Sequence, residues 1–290
     1  MWIVIPVHNR VATTRMCLEH LAQLEAPSWA RVLVVDDGST DDTPRMLRQE
    51  HPWAQVLIGS GNWWWAGAIH EGMRHAILNG AKVICWLNDD TLPEPGALEA
   101  VVKRSQDTRG MCGGVSRPGG PGGASYGGGR MIHRWPQPIQ PSASAKWGAV
   151  EWLHGNLVAI HCDVWRRIGL PHTAGTIHNF ADIEYSFTAF RHGIPVELHA
   201  TATATAEVNL CASYRSWRDP RLALTTVWTG FWNPKVWWYL PGLAAFKTRL
   251  FGWRGVLDCM LLVAKSVILP MYKLLIWIRA FRFHKFKTKK

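Results

Sequence analysis

The sequence lacks the motifs of two common enzyme classes. No Gly-x-Gly-x-x-Gly segment opens a helix and no P-loop is present, so dinucleotide-dependent redox chemistry has no support. The thirteen histidines form no His-Glu-x-x-His motif and no other spacing typical of a zinc site. The sequence therefore favours neither a nicotinamide enzyme nor a zinc enzyme.

Cysteines are few and a secretory leader is not visible. The six cysteines include no Cys-x-x-Cys pair, and a chain of 290 residues can bury a core without disulfides, so we expect reduced, mostly buried thiols. Met1–Pro6 has the pattern of a strand rather than the basic, apolar and cleavage regions of a signal peptide. The expected location is the cytoplasm.

Acidic residues are nearly absent from the last 80 residues. Residues 211–290 contain 15 Lys and Arg but only Asp219 and Asp258, which gives a net charge of +13, whereas residues 1–210 carry −2. The overall charge of +11 therefore belongs to the C-terminal region. The 18 Trp residues and the hydrophobic content of 48% exclude a disordered chain.

Residues 1–107 alternate between strand and helix patterns. Apolar runs predict strands at Ile3–Val7, Arg31–Val35, Gln55–Ile58 and Lys82–Leu87. Helical spacing and helix-start signals predict helices at Thr13–Leu24, after Thr43 as N-cap, at Ala66–Asn79 and at Pro93–Lys103. Further along, a helix is expected at Ala181–His192 and a strand at Pro195–Leu198. The alternation predicts an α/β protein with a mostly parallel sheet covered by helices on both faces.

Ten of the twenty residues from Gly110 to Gly129 are glycine. Glycine weakens both helices and strands, so we expect a mobile loop or a long hairpin connection there, and no central strand.

The C-terminal region is basic and rich in Trp, and residues 255–278 are strongly apolar. If this region is a helix, with about 100° of rotation per residue, one sector of about 60° around its axis contains Arg254, Asp258, Lys265 and Arg279. This amphipathic pattern predicts a helical segment lying in a membrane interface; the alternative is a C-terminal helix packed on the rest of the protein. A spanning helix is disfavoured because charges would enter the hydrocarbon. We divide the chain into a domain of residues 1–215 and a membrane-associating segment of residues 216–290.

Two acidic clusters follow predicted strands. Asp36 and Asp37 come after one apolar run, and Asp89 and Asp90 after another. Ligands bind at the carboxyl ends of strands in open α/β sheets, and neighbouring carboxylates repel unless a cation or hydrogen-bond donors join them. A divalent cation bridging a carboxylate and a diphosphate suits this pattern. Asp41 and Asp42 are better explained as residues that cap the next helix.

Five segments in order resemble family 2 glycosyltransferases of the GT-A (Rossmann-like) fold, in particular bacterial rhamnosyltransferase-like and galactofuranosyltransferase-like members. The segments that carry the resemblance are Ile5–Arg10, Val35–Ser39, Gly61–Ala68, Leu87–Thr91 and Phe180–Tyr185. The resemblance extends over residues 2–208. It implies a sugar transferred from a nucleotide donor.

The resemblance also implies roles for individual residues on the donor side. Pro6, His8 and Asp37 would line the base pocket, and Asp37 would accept a hydrogen bond from N3–H of uracil or thymine. Asn62 would also bind the nucleotide. Asp89 would contact the ribose. Asp90 would hold Mg²⁺ or Mn²⁺ against the diphosphate. Glu207 stands nearest to the position where many relatives place a metal-binding His, and is either an oxygen ligand or a surface charge.

On the acceptor side, Asp182 matches the catalytic base of the family; without that role it would be an acidic residue favoured at a helix start. Glu184 is either an acceptor-binding residue or a solvated one. Trp65 belongs to a cluster of Trp side chains that either packs against the donor or acceptor sugar or forms part of the core. Trp152 and His154 fall where relatives build the acceptor side of the cleft, and His154 has the alternative of a core histidine.

Taken together, the resemblance implies an inverting, metal-dependent glycosyltransferase. It would move a sugar from a UDP- or dTDP-sugar to a hydroxyl of a lipid-linked or growing bacterial surface polysaccharide, on the anionic inner face of the membrane. One alternative is a nucleic-acid-binding protein that uses the basic tail, but the apolar character of residues 255–278 favours lipid. The other is a catalytically silent GT-A scaffold, against which the intact Asp37, Asp90 and Asp182 argue.

Overall fold

The computed structural model describes residues 1–119, 125–139, 147–206 and 224–264. Strands of the first half are β1 (Trp2–Val7), β2 (Arg31–Asp36), β3 (Gln55–Ile58), β4 (Val83–Leu87) and β5 (Thr91–Pro93). Helices of this half are α1 (Val11–Gln23), α2 (Thr43–Glu50), α3 (Trp64–Leu78) and α4 (Ala97–Thr108), with a 3-10 turn at Ala26–Ser28.

The second half adds shorter elements. Its strands are β6 (Met111–Pro118), β7 (Gly128–Ile132), β8 (Trp135–Pro138), β9 (Trp147–Ala149), β10 (Trp152–Leu153), β11 (Leu157–His161) and β12 (Val196–Ala206). Its helices are α5 (Cys162–Ile168), α6 (Ala181–Arg191), α7 (Leu224–Gly230) and α8 (Leu240–Phe251), and residues 253–264 are helical as well.

In the described part of the chain, nine strands form one central sheet in the order β3-β2-β1-β4-β11-β6-β12-β5, with β9 paired to β12. The four N-terminal strands β3, β2, β1 and β4 are parallel to one another. β11 runs antiparallel between β4 and β6, whereas β6 and β12 are parallel. A second sheet has the order β10-β7-β8. This α/β architecture confirms the predicted fold class.

Helices cover both faces of the central sheet because side chains alternate along each strand. On β1, Ile3 and Ile5 face a core that includes Leu18 of α1, whereas Trp2 and Val4 face a core that includes Met73 of α3. The parallel strands β1, β2 and β4 all end at one edge. The residues that follow these three strands therefore meet at this edge, as the acidic clusters predicted.

The glycine-rich segment contradicts our expectation of a loop, since β6 (Met111–Pro118) lies inside the central sheet between β11 and β12. Close packing is the physical reason. A Cβ atom on Gly113 would lie 2.6 Å from Leu153 Cδ2, and one on Gly114 would lie 2.8 Å from the carbonyl oxygen of Ala202. Glycine here makes room for neighbouring strands and side chains, and the buried sheet offsets its low strand propensity.

Two helix starts also differ from the prediction. The N-cap of α2 is Asp42, and Thr43 is the first helical residue. Pro93 belongs to the edge strand β5, where its missing N–H costs no ladder bond, and α4 starts after Gly96, which has a positive φ of 80°. The other predicted strands and helices of residues 1–107 are present within a few residues of their expected bounds.

The described part of the C-terminal region packs on the rest of the protein. Phe246 and Leu250 of α8 join a core with Ile183 and Phe187 of α6. Lys247 is buried, its ammonium donates to the carbonyl oxygen of Arg134, and burial lowers its pKa despite the nearby carboxylate of Asp258. The proposed boundary at residues 215/216 and residues 265–278 lie outside the described residues. Within the described ranges, we find no helix that is both long and apolar enough to cross a membrane.

Replacement of Gly114 by Ala tests why β6 is rich in glycine. The new methyl group would press on Leu157 Cδ2 and on the carbonyl oxygen of Ala202. We expect the free energy of unfolding to fall by about 1–3 kcal/mol, as for other overpacked sites. The control is Gly148→Ala in β9, where nothing lies within 4 Å of the added atom. Denaturant unfolding measures both, and equal stability of the two variants would contradict the packing explanation.

Candidate active site

Two adjacent carboxylates, Asp89 and Asp90, occupy the turn between β4 and β5. Arg10, at the start of α1, reaches both of them: its Nη1 lies 3.4 Å from Asp89 Oδ1 and its Nη2 lies 3.2 Å from Asp90 Oδ2. The guanidinium thus supplies the positive charge that neighbouring carboxylates need. Arg10 was part of a motif in the sequence, but its role as the partner of this pair was not predicted.

Asp89 is the more buried member of the acidic pair. The Thr14 hydroxyl donates to Asp89 Oδ2 over 3.0 Å. Burial raises the pKa of Asp89 to about 7, although Arg10 and the Thr14 hydrogen bond act in the opposite direction. Additional positive charge at this edge would lower that pKa and favour the carboxylate.

Asp37 follows β2 and fixes the start of α3. Its Oδ1 accepts from the backbone N–H of Gly61 at 2.8 Å, and its Oδ2 accepts from the N–H groups of Trp63 and Trp64 at 2.8 and 2.9 Å. These N–H groups precede the first helical hydrogen bonds of α3 and would otherwise lack partners. Oδ1 accepts only one of these bonds and retains acceptor capacity.

The other predicted nucleotide residues surround Asp37. The His8 ring donates from Nδ1 to the carbonyl oxygen of Asp37 over 2.7 Å. Pro6 lies on β1 beside Val35 of β2. Asn62 is exposed in the turn that leads into α3. The structure therefore brings Pro6, His8, Asp37 and Asn62 to the same edge as the acidic pair.

A chain of side-chain hydrogen bonds leads away from the acidic pair. The Trp65 indole donates to Asn88 Oδ1 over 2.8 Å, and Asn88 Nδ2 donates to Asn156 Oδ1 over 2.9 Å. Asn156 Nδ2 in turn donates to the hydroxyl of Tyr126 over 2.9 Å. The network joins the end of β4, the start of α3 and the β10–β11 turn. Tyr126 was missed because it lies in the glycine-rich segment that the sequence indicated as a loop.

Asp182 lies in the first turn of α6, next to this network. Its Oδ2 accepts from the backbone N–H of Gly155 over 2.8 Å and lies 3.7 Å from His154 Nδ1. Burial raises the pKa of Asp182, but the interaction with His154 and the backbone N–H groups outweigh it, so the pKa lies below its ordinary value. This carboxylate is therefore ionised at neutral pH and oriented by neighbouring donors.

Gly155 connects Asp182 to the donor side. A Cβ atom on Gly155 would lie 2.4 Å from Trp65 Cζ2 and 3.2 Å from Asp182 Cβ. Trp65 thus packs against the backbone that holds Asp182, while its indole N–H reaches Asn88 beside the acidic pair. Through this contact the structure brings Asp182 close to the acidic edge.

The aromatic surroundings of His154 correct one prediction. The His154 ring makes edge-on contacts with Tyr126 and Trp152, both with centroids 5.1 Å apart. Trp152 itself is only 1% exposed, and its indole donates to the carbonyl oxygen of Arg130. Trp152 is therefore a core residue behind His154 rather than an acceptor-binding residue.

Glu184 also departs from both predicted roles. Its carboxylate is buried and accepts from Arg249 Nε over 2.6 Å and from the Thr176 hydroxyl over 2.9 Å. The side chain is neither solvated nor available to an acceptor, because α8 covers it. A local sequence pattern cannot show this, since Arg249 lies 65 residues away. Glu207 lies outside the described residues.

The acidic edge has the chemistry of a divalent metal site. Asp90, the predicted metal ligand, presents carboxylate oxygens, which Mg²⁺ and Mn²⁺ prefer as ligands. Arg10 demonstrates that the acidic pair takes up positive charge. The residues present therefore fit a hard divalent cation.

Comparisons with known proteins show the family of this chain. The family model described as Glycosyl transferase family 2 matches residues 2–153, slightly more than half of the chain. A search of curated proteins found no match.

Several solved structures are similar in fold. GalNAc-T7 with UDP, GalNAc and Mn²⁺ has a TM-score of 0.59 and 14% identity, over 86% of this chain and 50% of that one. The mannosyltransferase PcManGT from Pyrobaculum calidifontis, with GDP-Man and Mn²⁺, has a TM-score of 0.54 and 18% identity, over 94% of this chain and 80% of that one. TarS from S. aureus has a TM-score of 0.55 and 12% identity, over 71% and 36%.

At such identities the structural likeness shows the fold alone. The chain spans half the length of the GalNAc-T7 structure and 36% of the TarS structure. The family match rests on the sequence itself and includes β1, the acidic edge and the start of α3. The chain therefore belongs to the family described as Glycosyl transferase family 2.

Proposed function

We propose that this glycosyltransferase moves a sugar, with inversion and with a divalent metal, from a UDP- or dTDP-sugar to a hydroxyl group of a lipid-linked or growing bacterial surface polysaccharide. The proposed place of action is the cytoplasmic, inner face of the membrane. The observation that carries the proposal is the placement of Asp182. Its ionised carboxylate is held by Gly155 and His154, and the Trp65 contact joins it to the edge that bears Asp89 and Asp90.

The donor is assigned to the edge formed by the ends of β1, β2 and β4. Asp37 Oδ1, with its remaining lone pair, would accept from N3–H of uracil or thymine, Pro6 and His8 would line the base pocket, and Asn62 would contact the nucleotide. Asp89 would contact the ribose. The similar structures of GalNAc-T7 and PcManGT are complexes with UDP and with GDP-Man, which supports a nucleotide-sugar donor.

A metal ion is assigned to Asp90, with Glu207 as a second oxygen ligand. A bound Mg²⁺ or Mn²⁺ would neutralise negative charge that develops on the departing diphosphate. Both complexes named above contain Mn²⁺. The guanidinium of Arg10 would remain close enough to Asp90 to help neutralise the negative charge on the diphosphate.

Asp182 is assigned as the general base. The acceptor hydroxyl would lose its proton to the Asp182 carboxylate as its oxygen attacks the anomeric carbon and the bond to the diphosphate breaks. A low pKa is compatible with this role, because the hydroxyl proton becomes acidic only in the transition state. His154 holds the carboxylate, and Trp65 borders the space where the two sugars would meet.

Nucleotide binding provides the first test of the donor class. We expect UDP or dTDP with Mn²⁺ to raise the melting temperature of the protein, and GDP to raise it less. Ligand at about 100 times its dissociation constant adds about 2.7 kcal/mol of stability. Asp90→Asn should remove the part that depends on Mn²⁺. A thermal-shift screen measures this, and stabilisation by GDP alone, or by no nucleotide, would contradict the proposal.

Asp182→Asn tests the base. We expect transfer to fall by about 10²- to 10⁴-fold, the usual contribution of general-base catalysis, while the nucleotide-induced thermal shift is retained. The matched control is Asp107→Asn, which changes a surface carboxylate paired with Lys103. Transfer assays at saturating donor measure both variants. Full activity of Asp182→Asn would show that another group accepts the proton.

His154→Gln tests the cause of the low pKa of Asp182. Because His154 favours the charged carboxylate, its removal should raise that pKa toward the ordinary value. The acidic limb of the kcat/KM profile should therefore move to higher pH. The control is the exposed His192→Gln, which should leave the profile in place. An unchanged acidic limb in His154→Gln would assign this limb to a different group.

A further inference from the structure

The helical residues 253–264 present apolar side chains to solvent. Six of them form the apolar outer face: Trp253, Val256, Leu257, Met260, Leu261 and Val263. Each of the six is between 45% and 68% exposed. At about 100° per residue they share a sector of about 160°, so they make one continuous stripe along the helix. Contiguous exposed apolar surface of this kind marks an interaction site.

The opposite side of the helix is anchored to the protein, and this fixes which side faces outward. The Asp258 carboxylate accepts two hydrogen bonds from Arg134, at 2.6 and 2.8 Å, and lies 3.4 Å from Lys247 Nζ. Leu262 packs against the core that contains Phe231 and Leu243. Asp258 thus points inward and the apolar stripe outward, while the exposed Arg254 lies beside the stripe.

A close backbone contact adds to this anchoring. A Cβ atom on Gly255 would overlap the carbonyl oxygen of Lys247 in α8, so the two helices touch at this glycine. Rotation of the helix to bury its apolar side would break the contact and expose the bonded Asp258. The contacts of the inner side therefore fix the orientation of the helix with its apolar stripe facing outward.

The surrounding charge indicates what covers the stripe. Residues 265–290, which continue the chain directly after it, contain eight Lys and Arg and no acidic residue. The nearest acidic group in sequence, Asp258, is already paired with Arg134. A second copy of the protein would bring two such basic regions together against their repulsion, whereas an anionic lipid surface attracts them. Apolar side chains flanked by Lys and Arg suit the boundary between headgroups and acyl chains.

We propose that the apolar outer face of residues 253–264 is the surface by which the protein enters the interfacial layer of an anionic bilayer. The assignment rests on the membrane location in the proposed function and names the residues responsible for it. Apolar insertion provides binding that survives high salt, and the basic residues 265–290 add binding that salt screens. The helix lies in the plane of the membrane without crossing it.

The test uses the full chain and vesicles of phosphatidylcholine with phosphatidylglycerol. The variant is Leu257→Gln with Leu261→Gln, two exposed positions four residues apart on the stripe. The matched control is Ile58→Gln with Leu78→Gln, two exposed apolar residues of β3 and α3. We expect the stripe variant to bind vesicles at least about tenfold more weakly and to be released at high salt. The control should sediment with vesicles as the unaltered protein does.

Several outcomes would overturn the proposal. These are equal, salt-resistant vesicle binding by the stripe variant, weaker binding by the control, or a concentration-dependent dimer in light scattering that only the stripe variant loses. Retention on DNA instead of vesicles would assign the basic region to nucleic acid. The nucleotide-induced thermal shift is measured on the same samples. It reports the donor site alone, so failure of membrane docking and failure of the proposed transfer function are distinguished.

Discussion

The need to neutralise two neighbouring carboxylates organises the candidate active site. Asp89 and Asp90 follow a fully buried strand, and burial, with a further contribution from the neighbouring Asp90, raises the pKa of Asp89 to about 7. Arg10 meets both carboxylates from the adjacent strand end, and Thr14 holds the more buried one. The same charge requirement makes this edge a place where a cation and a diphosphate can be bound together. The parallel order of β1, β2 and β4 is what allows these residues to meet.

The base belongs to the same arrangement although it is distant in sequence. Asp182 is oriented by Gly155, Gly155 packs on Trp65, and Trp65 donates to Asn88 beside the acidic pair. The Gly155–Asp182 and Trp65–Asn88 hydrogen bonds are each 2.8 Å long, and the Trp65 ring fills the space beside the Cα of Gly155. A site that must align a hydroxyl, an anomeric carbon and a leaving group benefits from such positioning, since small displacements are costly in rate.

Patterns of nearby residues in the sequence predicted those elements whose conformation is determined by residues close to them in the chain. The strands of the first half, the acidic edge and the helix with Asp182 follow from apolar periodicity and motif order. Residues whose environment comes from distant segments were not predictable. Gly113 and Gly114 looked like loop residues until the neighbouring strands gave a reason for missing side chains. Glu184 was expected either to bind the acceptor or to be solvated, because its partner Arg249 belongs to a region that composition alone separates from residues 1–215.

The pair of Glu184 and Arg249 has a consequence for how the chain can be divided. Glu184 lies two residues from Asp182 on α6, and α8 supplies the charge that makes its burial tolerable. A fusion joint at residue 215, the boundary that composition suggested, would place the two partners of this ion pair on different sides of the joint. Leu240–Phe251 thus contributes to the structure around Asp182 and cannot be exchanged independently of it. Chimeras between relatives would have to carry Leu240–Phe251 together with Ala181–Arg191 to keep the base in register.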